Sequence, residues 1–184
     1  LPPGDGKTIL VVEDDVQLRA TLVELLESWR YRVAQATNGM EALALLELQA
    51  TQRKVNLRTN FSGLKNPRFS ADRLLLHQAV FNLVENAIKY SPIGGGGLVR
   101  TVKDGRKLSI SVQDHGKGIA PLDQPKLFTR FFHVEEADSL ESRGQGLGLA
   151  IVKSIADKHG GTIKVHSQLG EGSTFTLEIP VRKG

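Results

Sequence analysis

Apolar residues recur along the chain first at strand spacing and then at helix spacing, twice in succession. The stretch "KTILVVEDD" is an apolar run of strand length closed by acids. "VQLRATLVELLESW" then repeats apolar residues at Leu18, Leu22, Leu25, Leu26 and Trp29, the stripe of an amphipathic helix. "YRVAQA" alternates as a short strand does, Asn38-Gly39 marks a turn, and "MEALALLELQA" returns to helical spacing. The order β-α-β-α predicts parallel strands joined by helical crossovers. It stops after two units, and a two-stranded parallel sheet cannot bury both of its faces, so residues 1–50 need something to pack on.

Beyond residue 50 the rhythm changes. Residues 51–70 are irregular, with a possible strand at "KVNLRT" and turn residues at Ser62-Gly63 and Asn66-Pro67. "SADRLLLHQAVFNLVENAIKYS" predicts a long helix, with Ser70 or Asp72 as N-cap, Ser91-Pro92 as stop, and Leu76, Val80, Leu83 and Ala87 as apolar stripe. "GGGGLVRTVKDGRKLSISVQD" reads as two strands joined at Asp104-Gly105. "GLGLAIVKSIADKHGG" is a helix closed by glycines, and "TIKVHSQLGEGSTFTLEIPV" is a second hairpin turning at 170–172. Helices among antiparallel hairpins predict an α+β two-layer sandwich for this part.

Composition narrows the class. Of 184 residues, 40% are hydrophobic and 19 are glycine, which supports a packed core and excludes wholesale disorder or collagen-like repetition. With no cysteine there is no disulfide framework, thiolate zinc site or thiol nucleophile. No apolar run approaches membrane length and no signal peptide is apparent, so a cytoplasmic location away from the membrane is expected. The net charge of +4 hides a seam: residues 1–50 carry 4 basic and 8 acidic side chains, and the remainder carries the basic excess. The run Arg53, Lys54, Arg58, Lys65 and Arg68 fits a solvated linker and not a nucleic-acid patch.

Three segments could carry chemistry. On the long helix Asn82, Asn86 and Lys89 stand at i, i+4 and i+7, one polar stripe. Amide oxygens are hard ligands and Lys is a point charge, so the stripe suits a hydrated cation and a polyphosphate; a solvent-facing surface has the same pattern. "SVQDHGKGIA" sets Asp114 at a strand end before Gly116 and Gly118, where a carboxylate can accept from an amino group and glycines admit close approach of a ligand. In "GQGLGLAI", Gly144, Gly146 and Gly148 open a helix whose exposed N–H groups suit phosphate.

In this order and spacing the segments resemble the ATP-binding catalytic domain of sensor histidine kinases, the Bergerat fold shared with gyrase, Hsp90 and MutL-type ATPases. "NLVENAIKYS" looks like the N box, "DHGKGIA" the G1 box, "LFTRFF" the F box and "GQGLGLAI" the G2 box. The resemblance implies ATP and Mg2+ as cofactors. Asn86, assisted by Asn82, would hold the Mg2+, Lys89 would contact phosphate, and Tyr90 would border the nucleotide. Asp114 would accept from the adenine amino group beside Gly116, Gly118 and Ile119. Residues 119–145 would form a lid pinned by Phe128, Phe131 and Phe132. Arg143, Gly144, Gly146, Leu147 and Gly148 would cradle phosphates, and Arg130 would stabilise charge on the transferred γ-phosphoryl group. ATP-hydrolysing relatives carry a Glu four residues before the metal-binding Asn; here Asn82 occupies that place, which favours a kinase.

Residues 1–50 resemble the start of a response-regulator receiver domain, a partial flavodoxin-like segment. Glu13 and Asp14 would be its acidic Mg2+ pair, while its phosphoacceptor strand is missing. None of the five histidines, His77, His115, His133, His159 and His166, stands in a substrate-histidine box. The expected organisation is therefore a truncated receiver over 1–50, a linker and first strand over 51–70, and the catalytic domain over 71–184. The expected partners are a phosphoacceptor histidine domain in trans and a response regulator, with a homodimer possible through the N-terminal segment. Two other readings stay open at this point: a non-catalytic interaction module, and a serine kinase of the anti-sigma type on the same fold.

Overall fold

The computed structural model describes residues 8–13, 15–37, 41, 46, 48, 50–63, 71–134 and 146–181. The chain forms two compact units, Leu1–Leu48 and Gln49–Gly184.

In the first unit β1 (Thr8–Val12) and β2 (Arg32–Ala36) pair in parallel, with Thr8 opposite Arg32 and Val12 opposite Ala36. The helix α1 (Val16–Ser28) makes the crossover. Asp15 caps it, Oδ1 accepting from the N–H groups of Gln17 and Leu18 at 2.9 and 2.8 Å. Its end is a left-handed Arg30 (φ 64°), with Tyr31 N–H returning to Leu26 O at 3.1 Å, a turn that glycine usually supplies. The expected apolar stripe is displaced. Val23 is buried and Leu22, Leu26 and Trp29 are half-buried, whereas Leu18 and Leu25 are exposed. The face turned toward the strands centres on Val23, and two strands are too narrow to cover the flanks on which Leu18 and Leu25 stand.

The second unit contains β3 (Asn56–Gly63), α2 (Arg73–Tyr90), β4 (Gly96–Asp104), β5 (Lys107–Asp114), a 3-10 turn (Gln124–Lys126), α3 (Gly148–Lys158), β6 (Thr162–Gln168) and β7 (Gly172–Pro180). The sheet order is β3-β4-β5-β7-β6. Every pairing is antiparallel except β3 with β4, which α2 joins as a crossover. The possible strand expected at "KVNLRT" is β3, and its parallel pairing with β4 lies outside the antiparallel hairpin pattern, because it joins segments some 40 residues apart. Asp72 is the N-cap of α2, Oδ1 accepting from Leu75 N–H at 3.1 Å; Ser70, the other candidate, lies outside the described residues.

Both helices pack against the sheet and against each other, giving the expected α+β two-layer arrangement. Buried Ala79, Leu83, Val84, Ala87 and Ile88 of α2 and Val152, Ile155 and Ala156 of α3 meet Leu108, Ile110 and Val112 of β5 and Phe175, Leu177 and Ile179 of β7 in one core. Each large apolar side chain sealed there contributes roughly 1.5–3 kcal/mol. Alternation along β5 buries Leu108, Ile110, Val112 and then Asp114. Across the ladder these face Ile179, Leu177, Phe175 and Ser173. Asp114 and Ser173 are thus the last rung of the core-facing row, a polar pair where the apolar rungs end.

Candidate nucleotide site

Asp114 is only 5% exposed, and its Oδ1 accepts from Gly116 N–H at 2.9 Å and Ser173 N–H at 3.2 Å. Its Oδ2 makes no hydrogen bond among the described residues, so one carboxylate oxygen is anchored and the other is left as an acceptor. Burial pushes the Asp114 carboxyl above the usual aspartate range, opposed by these two N–H groups. Beside it, a Cβ on Gly116 would lie 2.3 Å from Tyr90 O, and a Cβ on Gly118 (φ +72°) would lie 1.9 Å from Gln168 O. Only glycine lets this turn press against the end of α2 and the β6–β7 hairpin. Two further bonds hold the turn: Gly170 N–H to Lys117 O at 2.8 Å and Ile119 N–H to Ser167 Oγ at 2.8 Å. His115 ties the same turn to the start of β4 through Nδ1 and Gly96 O at 2.9 Å.

The other end of the site is formed by α2 and the start of α3. Asn82 Nδ2 donates to Gln78 O at 2.8 Å, which turns Oδ1 away from its own helix. A Cβ on Gly148 would stand 2.9 Å from that oxygen, so glycine at 148 keeps the space in front of Asn82 clear. The half-buried amide of Asn86 makes no hydrogen bond among the described residues. Leu147 is the N-cap of α3 and supplies no side-chain bond. The first intrahelical bond near this end runs from Ile151 N–H to Leu147 O, which leaves the N–H groups of Gly148, Leu149 and Ala150 with no partner among the described residues. Open amides at a positive helix end and two amide side chains with available oxygens form a phosphate and hard-cation environment. Among the described residues no three His, Cys, Asp or Glu side chains cluster as a metal site, so a cation here would need amide oxygens, phosphate oxygens and water.

The two ends are spaced along α2. From Asn82 to Tyr90 the helix rises about 12 Å, a span suited to a ligand with a base at one end and phosphates at the other. Tyr90 is exposed, and Lys89 Nζ lies 4.9 Å from its ring centroid, beside the turn that carries Gly116. Arg53 Nη1 donates to Lys89 O at 3.2 Å, completing the end of the helix.

The segment expected to be a lid is divided. Residues 119–127 are fastened to the sheet, with Gln124 Nε2 donating to Ile119 O at 3.1 Å and Ser167 O at 3.0 Å. A neck follows, where Phe131 N–H donates to Gly146 O at 3.0 Å and both residues adopt positive φ. Gly146 is required there, since its Cβ would fall 2.8 Å from Phe131 Cα. Phe131 does not pin the segment as expected. It is 70% exposed, its backbone being committed to the neck, and the buried anchor is Leu127, with Phe128 and Phe132 half-buried. Arg130 is exposed and makes no hydrogen bond or ion pair among the described residues. Arg143 and Gly144 lie outside the described residues, as does Asp14. In the first unit, Glu13 Oε1 accepts from Asp15 N–H at 3.1 Å, so this carboxylate already serves the start of α1.

Sequence reasoning missed Ser167, Ser173 and Gln124. Ser173 was findable in principle as the residue opposite Asp114 once the β5–β7 register was known. Nothing local marks Ser167 or Gln124, which join the site only through folding.

Residues 71–183 match the family described as histidine kinase-, DNA gyrase B- and HSP90-like ATPase. The sensor-like histidine kinase SenX3 of Mycobacterium tuberculosis is 38% identical over 191 residues, covering 96% of this chain and 46% of that protein. The chain thus spans about half the length of this relative. Among solved structures, the nucleotide-free catalytic domain of histidine kinase ThkA is similar at a TM-score of 0.66 and 29% identity, covering 77% of this chain and 89% of that one. Full-length ShkA in complex with AMPPNP is similar at a TM-score of 0.67 and 30% identity, over 79% of this chain and 30% of that one. Residues 71–183 are similar to histidine kinase catalytic domains, and the chain belongs to the histidine kinase-, DNA gyrase B- and HSP90-like ATPase family.

Proposed function

We propose that the chain binds ATP with Mg2+ and transfers the γ-phosphoryl group to a histidine supplied in trans. The observation that carries this reading is Asp114, whose Oδ1 is held by two backbone N–H groups while Oδ2 remains an acceptor in a glycine-walled recess. In this reading Oδ2 accepts from the 6-amino group of adenine, Gly116, Gly118 and Ile119 line the base, and Tyr90 borders it. Asn86 and Asn82 present oxygens to Mg2+, which when bound would neutralise phosphate charge. Lys89 and the N–H groups at Gly146, Leu147 and Gly148 hold phosphate oxygens, with Arg143 and Gly144 completing that loop. Arg130, exposed and without a partner among the described residues, is the cation proposed to meet charge on the γ-phosphoryl group.

A nitrogen of the acceptor imidazole attacks phosphorus, the bond from phosphorus to the bridging β–γ oxygen breaks, and ADP leaves with the electron pair. Transfer is favoured over hydrolysis because Asn82, an amide, offers no base for water. Glu85 precedes Asn86 by one residue, about 100° around the helix, and faces away from that stripe. A response regulator would be the next acceptor. The test is incubation with labelled ATP, Mg2+ and a separate phosphoacceptor histidine domain. Acid-labile label on that domain supports the reading, and acid-stable label would indicate a serine acceptor instead.

We also infer that the first unit derives from a receiver domain. Support comes from the parallel β1–β2 pair joined by α1 and from acids following β1. Trp29, the single tryptophan, lies in this unit. Its fluorescence should respond to millimolar Mg2+ without nucleotide if Glu13 and Asp14 still bind the ion; a flat titration counts against that site.

A further inference from the structure

The turn that carries Gly116 and Gly118 is gripped on both sides of one residue. Ile119 donates its N–H to Ser167 Oγ at 2.8 Å, and its carbonyl accepts from Gln124 Nε2 at 3.1 Å. Gln124 Nε2 also donates to Ser167 O at 3.0 Å, so one amide group spans the turn and β6. Ser167 gives its single hydroxyl proton to Gly172 O at 2.9 Å. Its remaining contact, 2.9 Å to Ser173 Oγ, must then be one in which Ser173 donates. Ser173 N–H in turn donates to Asp114 Oδ1 at 3.2 Å, and Gly116 N–H donates to the same oxygen. Hydrogen bonds therefore close a ring that runs from Asp114 through the 116–119 turn, Ser167 and Ser173 and back to Asp114.

We propose that Ser167 and Gln124 are positioning residues that set adenine specificity by fixing Asp114 Oδ2 at a constant distance from the glycine turn. The inference rests on the reading that Asp114 receives the 6-amino group. A carboxylate can reject a 6-oxo base only if neither it nor the opposing backbone can shift to relieve the repulsion of two acceptors. A site built around a hydrogen bond discriminates strongly because the wrong group leaves it unpaired, and that depends on the site keeping its shape. Without the Ser167 hydroxyl, the N–H of Ile119 and the hydroxyl of Ser173 lose their common partner, and the hairpin end that aims Asp114 is no longer keyed to the turn. Neither residue is placed to touch the base itself.

The experiment is calorimetric titration of the full chain with Mg2+ and a non-hydrolysable ATP analogue, and with the inosine counterpart, which presents an acceptor where adenine presents an amine. Wild type, Ser167→Ala, Gln124→Leu and Ser167→Thr are compared. The ratio of the two dissociation constants is read, because a merely structural defect weakens both nucleotides alike and leaves the ratio unchanged. The ratio should fall about tenfold in Ser167→Ala, the worth of one hydrogen bond. It should fall less in Gln124→Leu and recover in Ser167→Thr. An unchanged ratio in Ser167→Ala overturns the proposal; if that variant does not fold, the ratio in Gln124→Leu decides in the same way. Wild type that binds neither nucleotide would instead overturn the nucleotide reading on which the proposal stands.

Discussion

In the proposed nucleotide site, the end assigned to the base and the end assigned to the phosphates are built on opposite principles. At the base end each polar group of the turn that the structure shows bonded is bonded to the protein: Asp114 Oδ1 to two N–H groups, Ile119 on both sides, Lys117 O to Gly170, His115 to Gly96. Asp114 Oδ2 has no partner among the described residues. At the phosphate end the reverse holds. The first N–H groups of α3, the Asn82 oxygen and the Asn86 amide have no partner among the described residues. In that reading the base end is a largely bonded mould that keeps the Asp114 acceptor open, whereas the phosphate end is a set of open valences suited to a charged ligand. Shape is stored where selectivity is needed and unsatisfied polarity where binding energy is needed.

This contrast can be broken most severely through the mould. Gly118→Ala drives a Cβ to 1.9 Å from Gln168 O at a positive φ, so the turn must leave the hairpin. Nucleotide affinity should fall at least about 100-fold and stability by roughly 1–3 kcal/mol, read by calorimetry and thermal melting. Asp114→Ala removes the open carboxylate acceptor; a charged hydrogen bond of this kind is worth about 10- to 100-fold in affinity, and the inosine analogue should be affected far less. Asn86→Ala acts on the open end. It should cost about tenfold with Mg2+ present and nothing when EDTA replaces the metal, a pairing that a defect of the mould would not produce.

The smallest effect is on pH. Because burial raises the Asp114 carboxyl above its unfolded value, its contribution to stability is full in acid, below the ordinary aspartate range, and is lost as pH rises through the raised folded value. Binding runs the other way, since Oδ2 accepts best when ionised. Affinity for the adenine analogue should decline on acidification at a pH above that of an ordinary aspartate, and Asp114→Ala should abolish that dependence.

Much of this was legible in the sequence, for reasons that can be stated. Strand and helix periodicities located α2, α3 and both hairpins because those elements are amphipathic, and Asp114, Gly116 and Gly118 were marked by glycines that a turn under backbone contact demands. The Asn82–Asn86 stripe and the glycine-rich start of α3 were legible too, since they lie on one helical face and at one helix start. What stayed hidden depends on pairings between distant segments. Ser167 lies 48 residues from Ile119 and Ser173 lies 59 from Asp114, and neither serine differs locally from any other on a strand. The parallel placement of β3 was hidden for the same reason, and Leu18, Leu25 and Phe131 were assigned to buried faces because periodicity and aromatic character do not report how wide the covering surface is.

In the proposed binding mode a nucleotide rests with its base on Asp114 and its phosphates on the open end of α3. Titration of the wild-type chain with a non-hydrolysable ATP analogue and Mg2+ tests it most directly. Saturable, magnesium-dependent binding, roughly micromolar to millimolar, is expected, and Asp114→Ala should weaken it severely. Absence of binding at millimolar nucleotide, or binding that Asp114→Ala leaves intact, would contradict it.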